Sequence, residues 1–129
     1  MVQIKALSDP VSPADGLRVL ITRYRPRYMR KQDETWQEWD RSVAPSRELH
    51  ADFFGKRGKK LSWQKYKRRY LTEMRVQKDR IKYWGERSRK ETVTLLCFCK
   101  DESRCHRTLL KKLIEKEVPL ISGKLLTLV

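Results

Sequence analysis

Hydrophobic positions along the chain change period several times, and each change predicts an element. Val2-Gln3-Ile4-Lys5-Ala6-Leu7 alternates loosely between apolar and polar residues, which predicts a first strand over 2–7. Ser8-Asp9-Pro10 ends it, and Pro10 to Gly16 reads as a loop closing on an Asp-Gly turn. Leu17-Arg18-Val19-Leu20-Ile21-Thr22 is β-branched-rich and predicts a second strand, followed by the basic loop Arg23-Tyr24-Arg25-Pro26-Arg27. Asp33 can cap a short helix carrying Trp36 and Trp39 at i, i+3, ending before Pro45. Ser46 can cap another, with Leu49 and Phe53 at i, i+4 and Gly55 as its stop.

The longest helix is expected after the loop Gly55-Lys56-Arg57-Gly58-Lys59-Lys60, with Ser62 as cap. Its apolar positions are Trp63, Tyr66, Tyr70, Met74, Ile81 and Trp84, a stripe at helical spacing that only Gln77 interrupts. Aromatics at that spacing read as core, with Tyr83 and Trp84 expected nearest the surface and Gly85 as the terminator. Val93-Thr94-Leu95-Leu96-Cys97-Phe98-Cys99 is apolar at both parities, the pattern of a strand buried on both faces and central in its sheet. A polar loop leads to Cys105-His106-Arg107, where a last helix begins on Leu109, Leu110, Leu113 and Ile114. Pro119 blocks its continuation, and Leu120-Ile121 and Leu125 to Val129 can add a final strand. The order β-β-α-α-α-β-α-β predicts an α/β fold: one three-layer domain over residues 1–129, with a small parallel or mixed central sheet flanked by helices.

Composition narrows the class. Of the 129 residues 39% are hydrophobic and 36% charged, enough apolar content for a packed core. The longest apolar stretch, Val93 to Cys99, is far short of the roughly 20 residues that span a bilayer, so no membrane partner is expected. Met1-Val2-Gln3-Ile4-Lys5 lacks the basic-then-apolar pattern of a secretory leader. Three cysteines, two of them in one strand, make a disulfide framework unexpected and a reducing, cytoplasmic compartment the natural one. The chain has no Asn and many ionic residues, a thermophile-like bias.

Charge changes the picture more. Lys and Arg number 31 against 16 Asp and Glu, a formal net charge of +15. Residues 56–90 hold 15 basic and 3 acidic side chains, so most of the excess lies in about a quarter of the chain. Concentrated in this way it makes a field that attracts polyanions, with Lys59, Lys60, Lys67, Arg68 and Arg75 as candidate nucleic-acid contacts.

The stretch from Val93 to Arg107 carries the chemistry. In open α/β sheets ligands collect where strand C-termini meet helix N-termini, and a helix N-terminus favours an anion or a thiolate. Cys105 at such a start is expected to have a depressed pKa, and His106 beside it is the candidate general acid or base. Three readings compete. A phosphatase-like or rhodanese-like loop needs five residues between Cys and Arg, whereas Cys99 to Arg104 leaves four and Cys97 to Arg104 leaves six. A metal could use Cys97, Cys99, Cys105 and His106, but C-x-C-x5-C-H is not a usual zinc spacing, and neither a metal nor another cofactor is expected. In the third, Cys97 is a small core residue and Cys105-His106-Arg107 binds an anion by hydrogen bonds alone.

A second cluster comes from the N-terminal half. Arg23 and Arg27 follow a predicted strand and, with Arg107, are candidate anion-binding residues, with Asp9 and Asp15 orienting them. If that strand lies parallel beside the Cys97 strand, both clusters face one crevice.

Several of these residues resemble a known family. Asp9-Pro10, Asp15-Gly16-Leu17-Arg18-Val19-Leu20, Arg23, Pro26-Arg27, Glu38-Trp39, Ala44-Pro45-Ser46, Trp63 to Tyr70 and Thr94-Leu95-Leu96 are similar, in order, to the YeaO-like family. That family has no known function, so the resemblance implies a compact cytosolic α/β domain. Many relatives carry Leu-Trp in place of Tyr24-Arg25 and Gly in place of Tyr28. The expected function is binding of nucleic acid or nucleotide phosphates through an Arg-rich crevice at strand ends. The alternative is a small enzyme using Cys105 and His106 on an anionic substrate.

Overall fold

A computed structural model describes residues 1–99 and 101–118. Strands β1 (Val2–Ala6), β2 (Leu17–Leu20), β3 (Glu38–Trp39) and β4 (Val93–Cys97) form one sheet in the order β1-β4-β2-β3, all neighbours parallel. The last of these in sequence is therefore inserted between the first two, with Ile4 opposite Leu95 on one side and Val19 opposite Leu95 on the other. All five residues of β4 are buried, as its unbroken apolar run predicts. The close pairing of β2 with β4 depends on Gly16, which has φ +61°; a Cβ there would lie 2.3 Å from the Thr92 carbonyl oxygen.

Four helices, α1 (Arg47–Phe53), α2 (Trp63–Met74), α3 (Lys78–Lys90) and α4 (His106–Val118), pack on one face of the sheet. Their Leu49, Tyr66, Tyr70, Met74, Ile81, Trp84, Leu110 and Ile114 meet Val19, Ile21, Val93 and Leu95 there. On the opposite face Leu7, Leu20 and Leu96 are covered by Trp36 of a loop and Trp39 of β3, so among the described residues the helices of this α/β domain flank one face of the sheet, not both as expected. Among the described residues no helix is long and apolar enough to cross a membrane.

Local chemistry explains most boundaries. Ser46 and Ser62 cap α1 and α2, accepting from the Leu49 and Lys65 amides at 3.1 and 3.3 Å. Gly55 supplies the left-handed residue, φ +72°, after α1.

Four further expectations are corrected. The helix expected from Asp33 through Trp39 is a 3₁₀ turn, Lys31–Asp33, followed by β3; the Gln37 and Asp40 amides donate to the Arg18 and Leu20 carbonyls at 2.9 Å, so pairing with the sheet edge overrides helical spacing. The long helix breaks at a 3₁₀ turn, Arg75–Gln77, where no apolar side chain anchors the stripe between Met74 and Ile81 and Val76 faces solvent. Gly85 lies inside α3 instead of ending it: a Cβ there would sit 3.0 Å from the Glu117 Cβ, so the glycine marks the close approach of α4. Trp84 is fully buried, not near the surface. The final strand expected over 120–129 lies outside the described residues.

The buried carboxylate of Asp40 ties the loop after β3 to α3. It accepts from the Trp84 indole at 2.7 Å, from Arg80 at 3.1 Å, and from the Ser42 amide and hydroxyl at 3.0 and 2.5 Å. Burial pushes its pKa up, but the hydrogen bonds from Ser42 and Trp84 and the Arg80 charge outweigh it and hold the carboxyl below its ordinary value. A carboxylate whose folded pKa lies below its unfolded one stabilises the fold above the unfolded pKa, and that contribution is lost as pH falls through the folded value. Asp40→Asn should therefore cost about 1–3 kcal/mol at neutral pH, because its amide presents donors to donors. Denaturant unfolding should show that deficit shrinking below about pH 4; a deficit of constant size would show that the Asp40 charge contributes nothing.

Candidate functional site

Because β2 and β4 are parallel neighbours, the residues that follow both strands emerge at one edge of the sheet. The expected parallel adjacency of the two strands is met, and it brings Arg23 to the cysteine cluster and Arg27 to an adjoining groove, but neither Asp9 nor Asp15. A cavity of about 90 Å³ opens at this edge, lined by Thr22, Arg23 and Tyr24 after β2, Pro45, His50, Phe53 and Phe54 of the α1 region, Tyr66, and Cys97, Phe98, Cys99, Arg104, Cys105 and His106. Beside it lies an open groove of about 540 Å³ between Tyr24, Arg25, Pro26, Arg27, Tyr28, Lys56 and Phe98. Tyr24 and Phe98 are walls of both.

Three sulfurs and one imidazole meet at the cavity floor. The thiols of Cys97, Cys99 and Cys105 all lie within 4.8 Å of one another, with Cys97 and Cys99 at 3.9 Å. His106 Nδ1 is 4.0 Å from both Cys97 Sγ and Cys105 Sγ. Its Nε2 lies 2.7 Å from the Ile21 carbonyl oxygen, which accepts, so Nε2 carries the proton and Nδ1 turns a lone pair toward the sulfurs. Burial holds the His106 pKa below its ordinary value and keeps the ring neutral.

The expectation for Cys105 is reversed. Hydrogen bonding with Cys97 and Cys99, with burial added, pushes its pKa up. Cys97 is the thiol held well below its ordinary value, by hydrogen bonds from Cys105 and Cys99 and by the nearby Arg107 charge. Cys97, read from sequence as a small core residue, is thus buried but part of the cluster. Cys105 precedes α4 in extended backbone, φ −139°, which lets adjacent side chains of Cys105 and His106 converge. His50, half-buried and edge-on to Tyr24 at 5.0 Å, is the other imidazole of the cavity.

The other sequence-selected residues divide. Arg107 is buried and donates to the Cys99 carbonyl at 2.5 Å, bracing the turn after β4; its Nε has no partner among the described residues. Arg23 lines the cavity but is committed to backbone, donating to the Pro45, Arg41 and Ala44 carbonyls at 2.8, 3.2 and 3.5 Å. Arg27 is exposed in the groove. Asp15 and Asp9 orient none of the three. Asp15 precedes β2 where Arg23 follows it, and it is buried against Arg18 and Lys5. Asp9 accepts from the Ala6 amide at 2.9 Å. Lys59, Lys60, Lys67, Arg68 and Arg75 are all exposed, and none forms an ion pair among the described residues.

Sequence reading missed the groove. Its exposed rings, Tyr24, Tyr28 and Phe98, alternate with Arg25 and Arg27 in the same loop or face them from β4's end. The signal was present as the interleaving of Tyr24 and Tyr28 with four arginines between residues 23 and 30.

Comparison with known proteins places the chain. The DUF488-N3a family model, described as the active DUF488-N3 subclade, matches residues 2–118. The uncharacterized protein YeaO of Escherichia coli (strain K12) is 30% identical over 109 residues, 84% of this chain and 92% of that protein. The chain belongs to the YeaO-like family. A second relative, the uncharacterized protein Rv3073c of Mycobacterium tuberculosis (strain H37Rv), is 40% identical over 48 residues, 37% of this chain and 41% of its own length. No solved structure matches at a significant level. The YeaO-like relatives named here are uncharacterized, so the site has to be read from its own geometry.

Arg23 distinguishes a structural from a ligand-binding role. As a clasp on the 41–45 segment, its replacement in Arg23→Met should lower stability by about 1–3 kcal/mol, because charged donors to backbone carbonyls are lost. Chemical denaturation reads this directly; unchanged stability would free Arg23 for the anion role.

Proposed function

We propose that this YeaO-like protein binds single-stranded nucleic acid or a nucleotide through the groove at the C-terminal ends of β2 and β4. One observation carries the reading: exposed Tyr24, Tyr28 and Phe98 stand among Arg25, Arg27 and Lys56 in one open groove. Flat rings stack on bases of any sequence, and the interleaved cations take the phosphates. Tyr28 is 79% exposed and tilted against Phe98 at a centroid distance of 6.5 Å, so its ring has a free face and no large packing role. The exposed lysines and arginines of 56–90 extend the positive field from Lys56 onward and add contacts that do not depend on sequence. A single strand is favoured over a duplex because stacking needs unpaired bases.

The test is fluorescence anisotropy with labelled single-stranded and duplex DNA and RNA. A strand closing about five phosphate contacts should lose roughly a hundredfold in affinity between about 50 and 200 mM salt. Tyr28→Ala should weaken single-strand binding roughly tenfold, the value of one stacked base, and leave stability unchanged. If Tyr28→Ala binds like the wild type, the groove is not the surface. No binding at the lower salt would make the basic charge a solvated face.

A second reading, a cysteine-dependent enzyme, is favoured by the thiols and His106 lining the adjoining cavity. The family description calls the subclade active without naming an activity. In that reading one thiol alkylates fast below neutral pH, and Cys105→Ser or Cys97→Ser abolishes turnover while leaving strand binding intact.

A further inference from the structure

We propose that Cys97, Cys99 and Cys105 hold a zinc-class divalent ion at the C-terminal edge of the sheet, with His106 Nδ1 as the fourth donor. The inference does not depend on what occupies the groove. Zn–S bonds of about 2.3 Å at tetrahedral angles put sulfurs about 3.8 Å apart, and the shorter Zn–N bond brings nitrogen to about 3.6 Å from each. Cys97 and Cys99 already stand at 3.9 Å, and His106 Nδ1 at 4.0 Å from Cys97 and from Cys105. All three sulfurs lie within 4.8 Å of one another, while His106 Nδ1 stands 4.0 Å from two of them, so Cys99 and His106 must turn toward each other to complete the set.

Two further observations point to an ion rather than to three packed thiols. The first is the imidazole. A metal-bound His typically gives its other ring N–H to a carbonyl or carboxylate, which fixes the tautomer and aims the ligating nitrogen. His106 does this with the Ile21 carbonyl at 2.7 Å, from the strand beside β4. The second is Arg107. The residue is 1% exposed, its guanidinium pairs with no carboxylate among the described residues, and its Nε is without a partner there. A buried cation is costly without a nearby anion. Three thiolates and one neutral imidazole around a divalent ion carry a net charge of −1, and Arg107 already touches the Cys99 carbonyl. Each ligating thiol releases its proton to solvent on binding, so no oxidant or reductant enters.

Such an ion would cross-link the end of β4, the turn after it and the start of α4. It would also occupy the thiols that an enzyme would need as nucleophiles, so metal content decides between those two roles. A borderline-soft set of three thiolate sulfurs and one imidazole nitrogen suits Zn2+, and Co2+ reports on it through thiolate-to-cobalt charge-transfer absorption.

The experiment uses the full chain, purified under reducing conditions and stripped with a chelator. Co2+ should bind at one ion per chain with that absorption, and Zn2+ should abolish it by displacement. Cys99→Ser, at the half-buried position, should still fold and leave a weaker band from two sulfurs. His106→Gln should lower Co2+ affinity by about tenfold or more. If the stripped chain unfolds, refolding with Co2+ is read in the same way. A folded chain with three freely titrating thiols and no charge-transfer band overturns the proposal, as does a Cys99→Ser spectrum identical to the wild type. Tyr28→Ala should leave the metal stoichiometry at one, so failure of the groove and failure of the metal site are read separately.

Discussion

The parallel pairing of β2 with β4 is the constraint on which the rest of the molecule depends. Strands about 75 residues apart in sequence become neighbours, and the helical part of the chain between them crosses over one face of the sheet. That crossover is α1, α2 and α3, which is why the helices gather on one side and the other side is left to Trp36 and Trp39. The same pairing puts the ends of both strands at one edge, so Ile21 and Arg23 meet Cys97 and His106 there. A one-residue shift of β4 would turn its alternating side chains over and break the Ile21–His106 contact. Gly16 guards the register, since no side chain fits against the Thr92 carbonyl.

A second layer of organisation comes from the segment 40–46, which behaves as a hub. Asp40 receives Trp84 and Arg80, the Val43 carbonyl accepts from Tyr70 at 2.7 Å, and Ser46 is held by Glu73 through its amide and hydroxyl at 2.8 and 2.5 Å. Arg23 grips the same segment from the sheet side. Buried polar groups that are fully paired fix one arrangement of the elements around them, because each alternative leaves a donor or acceptor without a partner. The cavity wall built from Arg23 and Pro45 therefore inherits its rigidity from contacts remote from the thiols.

How far the sequence could be read follows from which forces are local. β4 was legible because burial on both faces leaves an unbroken apolar run, and α1 and α2 were legible because Ser46 and Ser62 cap the helices they precede. The segment 33–44 misled because Trp36 and Trp39 fit a helix face, whereas their partners, Leu20 and Leu96, come from strands distant in sequence. Gly85 misled for the same reason: its role is set by Glu117 across the α3–α4 contact, which no local pattern contains. At the site, the shared crevice was legible from strand ends, but the ordering of the thiols was not. Which thiol has its pKa held down depends on Arg107 and on two other sulfurs, and chain position alone pointed to Cys105 through the helix start.

The charge of residues 56–90 divides into paired and unpaired side chains in a way that bears on function. The paired side chains are arginines: Arg57 and Arg69 on Asp52, Arg80 on Asp40, Arg87 on Glu38 and Glu91. These use the planar guanidinium to hold α2 and α3 to their neighbours and to the loops around them. The lysines of the segment, from Lys56 to Lys90, are exposed and take part in none of these pairs. Net charge therefore overstates the ligand-facing surface, since part of it is internal bracing. What remains is a field of these lysines with exposed Arg68, Arg75 and Arg89, with little shape of its own, strong enough to draw a polyanion in but unable to select one. Selection needs fixed geometry, and the part of the field that has it is Lys56, which reaches the groove where Arg25, Arg27 and the free face of Tyr28 are held by the strand ends.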